Sequence, residues 1–239
     1  MKPLAGKVSI VTGAGRGIGR AISILLGRSG SRVVLAARSE SQLRAVGEEI
    51  QSQGGEALVV PTDLSLDEAM ERLVAATLEK WGSIDHLINN AGWGKTGPII
   101  KVKRADWDET LRINLRAPMV LSQLVLPKLM EKGEGVIINI SSISGKSGQA
   151  NAAAYSASKF GLIGFSQSLY EEVKEFGIKV AVLLPGFVDT PMIPPTKRLD
   201  KTKMIRPEDI AQAVLFVLTS PATSCPVEIT VRPQKSPYV

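Results

Sequence analysis

The sequence is short of the residues that build metal centres, disulfides and nucleic-acid surfaces. Among 239 residues there is one cysteine, Cys225, and one histidine, His86. A single thiol closes no intrachain disulfide, and Cys225, in a Ser-Cys-Pro turn with no base nearby in sequence, reads as an inert thiol. A lone histidine excludes the clustered ligands of a common zinc site. With no Gly-x-Ser-x-Gly elbow it also argues against hydrolase chemistry, so His86, inside a strand pattern, is expected to be structural. Aromatic residues are only 5% of the chain, and the net charge of +6 comes from scattered basic residues. Without a basic patch interleaved with aromatics, no nucleic-acid partner is expected. Apolar runs such as residues 180–185 fall far short of the roughly 18 residues that a membrane span needs, so no membrane partner is expected either. The first seven residues lack the apolar run of a secretory signal, which makes the cytoplasm the expected compartment.

What is present is a rhythm. β-Branched, apolar runs recur at residues 8–12, 32–37, 57–61, 86–90, 136–141, 179–184 and 227–231, and helical periodicity separates most of them. Several of these runs are apolar throughout, as in parallel strands covered on both faces. The expectation is a single α/β domain over residues 1–239, with a doubly wound, Rossmann-like parallel sheet. Residues 186–206 interrupt the rhythm with Pro191, Pro194, Pro195 and five cations, Lys197, Arg198, Lys201, Lys203 and Arg206. This reads as a long substrate loop over the carboxyl edge of the sheet.

After the first run comes Thr12-Gly13-Ala14-Gly15-Arg16-Gly17-Ile18-Gly19. Glycines at 13, 17 and 19 permit a tight turn and bring backbone N–H groups close to a pyrophosphate at a helix N-terminus, although the spacing departs from Gly-x-Gly-x-x-Gly. Gly94-Lys95-Thr96 and Gly145-Lys146-Ser147 are not kinase-type phosphate loops, because Asn89 and Ile140 stand where the first glycine is required. The second run ends Ala36-Ala37-Arg38, where an NAD-binding protein would place an acid for the ribose 2′-hydroxyl. Arg38 and Arg16 together favour the 2′-phosphate of NADP(H). The alternatives are two ordinary surface arginines, with Glu40 reaching the ribose.

Ser142 directly follows the fifth run, and Tyr155 and Lys159 lie four apart on one face of the helix that comes next. A neighbouring ammonium is expected to lower the tyrosine pKa from about 10 toward the working pH. Ser142 can hold a substrate oxygen while Tyr155 exchanges its proton. The same helix carries Tyr170 and Lys174, roughly 22 Å further along its axis. That pair has alanine at the offset where a serine is needed, and it reads as solvated or structural.

The glycine turn, Asn89-Asn90-Ala91-Gly92, Asn114, Ser142, Tyr155, Lys159 and Pro185-Gly186 follow one another over residues 7 to about 220 in an order that resembles the short-chain dehydrogenase/reductase family. The overall look is similar to its 3-oxoacyl-acyl-carrier-protein reductases, except that no glycine follows Gly186, whereas many of those end in a glycine-rich strand and tail. The resemblance implies seven strands in the order 3-2-1-4-5-6-7 and a catalytic tetrad of Asn114, Ser142, Tyr155 and Lys159. It implies that Gly13, Arg16, Gly17, Ile18, Gly19, Arg38, Asp63, Leu64, Asn90, Ala91 and Gly92 line the cofactor. Pro185, Gly186, Val188 and Thr190 would do so at the nicotinamide end, beside Tyr155 and Lys159. A homodimer or homotetramer is implied in the same way.

Asn114 lies in a helical segment spanning about 105–132, and Pro118 removes the N–H that its carbonyl would ordinarily receive. Either a water held there bridges to Lys159, as the family's proton relay requires, or the proline simply kinks the helix. The expected reaction is hydride transfer between NADP(H) and a carbonyl or secondary alcohol, in the reductive direction. The substrate is either a 3-oxoacyl thioester or a small ketone or hydroxy acid. The alternative without catalysis is an NADP-binding regulator, which would not need serine, tyrosine and lysine at these offsets. The basic loop either steers an anionic acyl carrier or coenzyme A thioester inward or is only a polar lid.

Overall fold

In the computed structural model, residues 2–193 and 199–238 are described. Lys197 and Arg198 of the basic loop, with residues 194–196, lie outside them. The elements run β1 Val8–Thr12, α1 Gly17–Arg28, β2 Arg32–Ala37, α2 Glu40–Ser52, β3 Glu56–Pro61, α3 Asp67–Trp81, β4 His86–Asn89 and α4 Arg104–Leu111. There follow α5 Ala117–Lys132, β5 Gly135–Ile140, α6 Ala153–Val173, β6 Ile178–Pro185, α7 Pro207–Leu218 and β7 Glu228–Val231. The seven strands form one parallel sheet in the order β3-β2-β1-β4-β5-β6-β7, as the sequence resemblance implied.

The uninterrupted apolar runs follow from the two buried faces of this sheet. Because successive strand residues point to opposite sides, Val11, Val33 and Leu35 pack under α1, α2 and α7, while Val8, Ile10 and Val34 pack under α3, α5 and α6. The strand order reverses between β1 and β4, so the helices leaving these strands diverge and open a crevice at the carboxyl edge.

The expected single helix over about 105–132 is interrupted. Residues Arg112–Arg116 form a turn of π-helix between α4 and α5, in which the Ala117 N–H reaches back to the Arg112 carbonyl. Pro118 lies at the start of α5, where its missing N–H costs little. The bulge shifts the register of the helix just before the proline, and Asn114 within it is fully buried.

His86 sits at the opposite, amino edge of the sheet, buried and bonded to the Ser9 hydroxyl at 2.8 Å. Burial lowers its pKa to about 4. Beside it, Asp85 accepts the Val8 N–H at 2.8 Å and pairs with Lys132 and Lys7. The histidine therefore belongs to the framework. Among the described residues no group of three potential metal ligands comes together, and no helix is long and apolar enough to cross a membrane.

Candidate active site

A cleft of about 630 Å³ opens along the carboxyl ends of β1, β2, β4, β5 and β6. Its floor is the glycine turn between β1 and α1. Gly13 and Gly17 adopt φ of +65° and +55°, conformations that favour glycine, and both line the cleft with Arg16 and Ile18. Gly19 does not line it. A Cβ at this position would lie 2.2 Å from the Gly13 carbonyl oxygen and 2.5 Å from Asn90 Nδ2, so Gly19 acts from beneath by letting helix and turn close together.

Thr12 and Asn90 stitch this turn to the end of β4. The Thr12 hydroxyl accepts the N–H groups of Asn90 and Ala91, both at 3.0 Å, and Asn90 Nδ2 donates to the Thr12 carbonyl at 2.8 Å. Asn90, Ala91 and Gly92 thereby form part of the cleft wall. Asn89 points away from it, into a buried chain in which its Nδ2 donates to Asn139 Oδ1 at 2.9 Å, and Asn139 Nδ2 donates to the Ser166 hydroxyl at 2.9 Å.

At the β2 end, Arg16 and Arg38 are exposed on the same rim, with Asp63 and Leu64 beside them. Asp63 is held below the usual carboxylate range by the Ser65 backbone N–H, at 2.9 Å, and in smaller part by the Arg38 charge. Glu40 does not line the cleft and is bonded to Arg44 at 2.9 Å, which disfavours it as a ribose ligand.

Ser142, Tyr155 and Lys159 meet midway along the cleft. Ser142 caps a short turn by accepting the Ser144 N–H at 3.1 Å, which leaves its own proton available. Lys159 is buried, donates to the Ile140 carbonyl at 2.8 Å and stands 5.7 Å from the centre of the Tyr155 ring. Here the geometry corrects the expected tyrosine pKa. Burial pushes the Tyr155 hydroxyl above the ordinary phenol range, with Ser142 pulling the other way, and burial lowers the Lys159 ammonium to about 8. Dehydration therefore sets the Tyr155 hydroxyl in the protein alone, and Tyr155 is held as an acid.

Asn114 lies behind the cleft. Its Oδ1 accepts the Trp93 N–H at 2.8 Å, and its Nδ2 donates to the Trp93 carbonyl at 2.7 Å and to the Ser158 hydroxyl at 3.0 Å. Ser158 in turn donates to the Tyr155 carbonyl at 2.7 Å. The side chain thus ties the loop after β4 to the helix carrying Tyr155. Sequence reasoning missed Trp93 and Ser158 in this clamp. The signals were a tryptophan directly after Asn-Asn-Ala-Gly and a serine one position before Lys159.

Pro185, Gly186, Val188 and Thr190 form the far end, where Ile143, Phe187 and Met192 add apolar walls that the sequence reading did not single out. In the basic loop, Lys201 bonds Asp189 at 2.9 Å and Lys203 lies 3.3 Å from Asp200, so two of its described cations are paired internally. Tyr170 and Lys174 lie away from the cleft. Lys174 is bonded to Glu171 at 2.6 Å, and Tyr170 lines a separate hollow of about 190 Å³.

Residues 7–200 match the short chain dehydrogenase family, and the chain belongs to it. An uncharacterized oxidoreductase of Staphylococcus aureus is 37% identical over 233 residues, covering 98% of this chain and 100% of the relative. Another from Staphylococcus haemolyticus is 35% identical over 235 residues, with the same coverage. A metagenomic short-chain oxidoreductase, solved in complex with NADP, superposes with a TM-score of 0.87 at 39% identity, covering 98% of this chain and 100% of that one.

Proposed function

We propose that this chain is an NADP(H)-dependent oxidoreductase that interconverts a carbonyl and a secondary alcohol. The observation that carries this is the meeting, in one cleft, of a glycine turn too tight for any Cβ at position 19 with Ser142, Tyr155 and Lys159. The cleft residues fit a dinucleotide. Gly13, Gly17 and the N-terminus of α1 suit a pyrophosphate, and Asp63 and Leu64 suit an adenine. Arg16 and Arg38 suit a 2′-phosphate, in line with the NADP held by the 39%-identical solved relative. Asn90, Ala91, Gly92, Pro185, Gly186, Val188 and Thr190 would hold the nicotinamide half.

The nicotinamide, when bound, supplies or takes the hydride. The chain supplies the rest. Ser142 donates to the substrate oxygen, and Tyr155, kept protonated by burial, passes its hydroxyl proton to that oxygen as the alcohol forms. Lys159 offers positive charge that stabilises the phenolate left behind and would return a proton to it, and the Asn114 carbonyl, to which Pro118 offers no N–H, would accept from a water that recharges Lys159.

Trp93, Ile143, Phe187 and Met192 favour a substrate with an apolar body. A second reading, reduction of a 3-oxoacyl thioester as in fatty acid synthesis, is favoured by Lys95, Lys101, Lys103 and Arg104. These are exposed on and just after the loop that carries Trp93, and none forms an ion pair among the described residues. Exposed Leu111 and Phe160, on the packed helices α4 and α6, with Met119 at the start of α5, support a homo-oligomer, whose mass light scattering would report.

Fluorescence titration with NADPH and NADH tests the cofactor reading, and NADPH oxidation with acetoacetyl-coenzyme A, ethyl acetoacetate and 1-acetonaphthone tests the substrate. Tighter NADPH binding and turnover of any of these carbonyls support the proposal. Equal or tighter NADH binding overturns the arginine reading.

A further inference from the structure

After β7 the chain has seven described residues, Arg232–Tyr238, with prolines at 233 and 237 and no glycine. Proline restricts the backbone and lowers the entropy lost when such a tail is fixed in one place. It is fixed against the cleft's far wall. The Gly186 N–H donates to the Val231 carbonyl at 2.8 Å, and Pro233 packs where a Cβ on Gly186 would stand, 3.0 Å away. Further on, the Asp200 N–H donates to the Pro237 carbonyl at 2.8 Å, and Leu199 and Tyr238 form an antiparallel bridge. The Tyr238 ring meets the Phe187 ring edge-on, with centroids 5.4 Å apart and planes at 81°, an attractive aromatic geometry.

Phe187 is the link to the site. Phe187 lines the cleft, and its carbonyl accepts the Ile205 N–H at 2.9 Å. Ile205 accepts the Asp189 N–H at 2.9 Å, and Lys201 closes the same layer onto Asp189. The segment 187–189 is therefore held by residues 199–205, and both are held by the tail. Met204 and Ile205 are buried, whereas Tyr238 is 60% exposed, so the tail contact is the part of this stack most easily released.

We propose that the carboxy-terminal tail is a strap that completes the substrate wall, with Tyr238 as a positioning residue that fixes Phe187. The assignment of that wall to substrate rests on the reductase reading above; the mechanical link does not. Removing the ring frees Phe187 to turn, which widens the far end of the cleft and loosens its grip on a bulky carbonyl. The glycine turn lies on other elements and keeps its hold on the dinucleotide.

The test compares Tyr238→Ala and Tyr238→Phe in the full-length chain. Hydrogen exchange followed amide by amide should accelerate severalfold in Tyr238→Ala at Asp200, Ile205 and Asp189, with Asn90 and Ala91 unchanged, and Tyr238→Phe should exchange like wild type. In reduction of 1-acetonaphthone, KM should rise severalfold in Tyr238→Ala while kcat and NADPH affinity hold, and Tyr238→Phe should restore KM. Acceleration confined to Asp200, or spread evenly over the whole sheet, would overturn the strap. Because exchange needs no turnover, an inactive wild type would count against the reductase reading and leave the strap to be decided by exchange alone. An unchanged KM in an active Tyr238→Ala would overturn the positioning role.

Discussion

Two glycine-to-alanine replacements in this chain should act in opposite directions. At Gly19 the new Cβ would stand 2.2 Å from the Gly13 carbonyl oxygen, more than an ångström inside the 3.4 Å at which ordinary contact begins. The obstacle is backbone. The next atom, Asn90 Nδ2 at 2.5 Å, is fixed by its bond to the Thr12 carbonyl, so no flexible side chain can yield. The turn must move by about 1 Å. Overpacking of this kind costs about 1–3 kcal/mol of stability, and a misplacement of about 1 Å in a site costs on the order of 10²-fold in function. Gly164 lies exposed within α6, one turn from Phe160 on the face assigned to the homo-oligomer, and an added Cβ meets nothing within 4 Å in the chain itself, so alanine there should stabilise the dissociated chain by about 0.5–1 kcal/mol. Thermal melts and NADPH titrations of the two variants provide the comparison. If Gly19→Ala melts and binds NADPH like wild type, the turn is not the tight cradle described.

Replacing Arg16 and Arg38 together with alanine should weaken NADPH at least tenfold and NADH little; each contact is worth about 1.5–3 kcal/mol before solvent exposure reduces it. Equal losses for the two dinucleotides would remove the 2′-phosphate assignment. His86 titrates at about 4 in the fold against an ordinary 6.5, so the unfolded chain binds the extra proton between these values. Its contribution to stability should be whole above pH 6.5 and fall by about 3 kcal/mol as pH drops to about 4. His86→Asn should flatten that part of the Tm-against-pH curve, and an unaltered slope would contradict the buried neutral histidine. Asn114→Ala strands the Trp93 N–H and carbonyl, costing about 1–3 kcal/mol for each group left unpaired, and should lower both Tm and turnover. Full activity would show that the clamp does not matter.

The strands were legible because burial on both faces writes apolar runs directly into sequence, and the bounds of β1 and β2 were read to the residue. The order of all seven strands came from family resemblance, since local periodicity says nothing about which strands pair. The π turn at 112–116 was hidden because the apolar pattern continues through it and only Pro118 hinted at a change in register. Gly19 was read as permitting the tight turn, but the atoms that demand a glycine there, the Gly13 carbonyl and the Asn90 amide, are brought to it only by the fold. The tyrosine pKa was misjudged because a four-residue spacing reveals proximity and not dehydration. The pairing of Lys203 with Asp200, three residues away, was visible in the sequence, and it weakens the loop as a positive funnel. The fold-back of Tyr238 onto Phe187 joins residues 51 apart in sequence and left no local trace.

The central claim is that Tyr155 moves the proton while the cleft around it binds the dinucleotide. Tyr155→Phe tests it most directly, with Tyr170→Phe as the control on the same helix. The account predicts that Tyr155→Phe loses NADPH-dependent carbonyl reduction by on the order of 10²-fold or more while NADPH still binds within about twofold of wild type, and that Tyr170→Phe is silent. Turnover that survives in Tyr155→Phe, or falls equally in both variants, would contradict it.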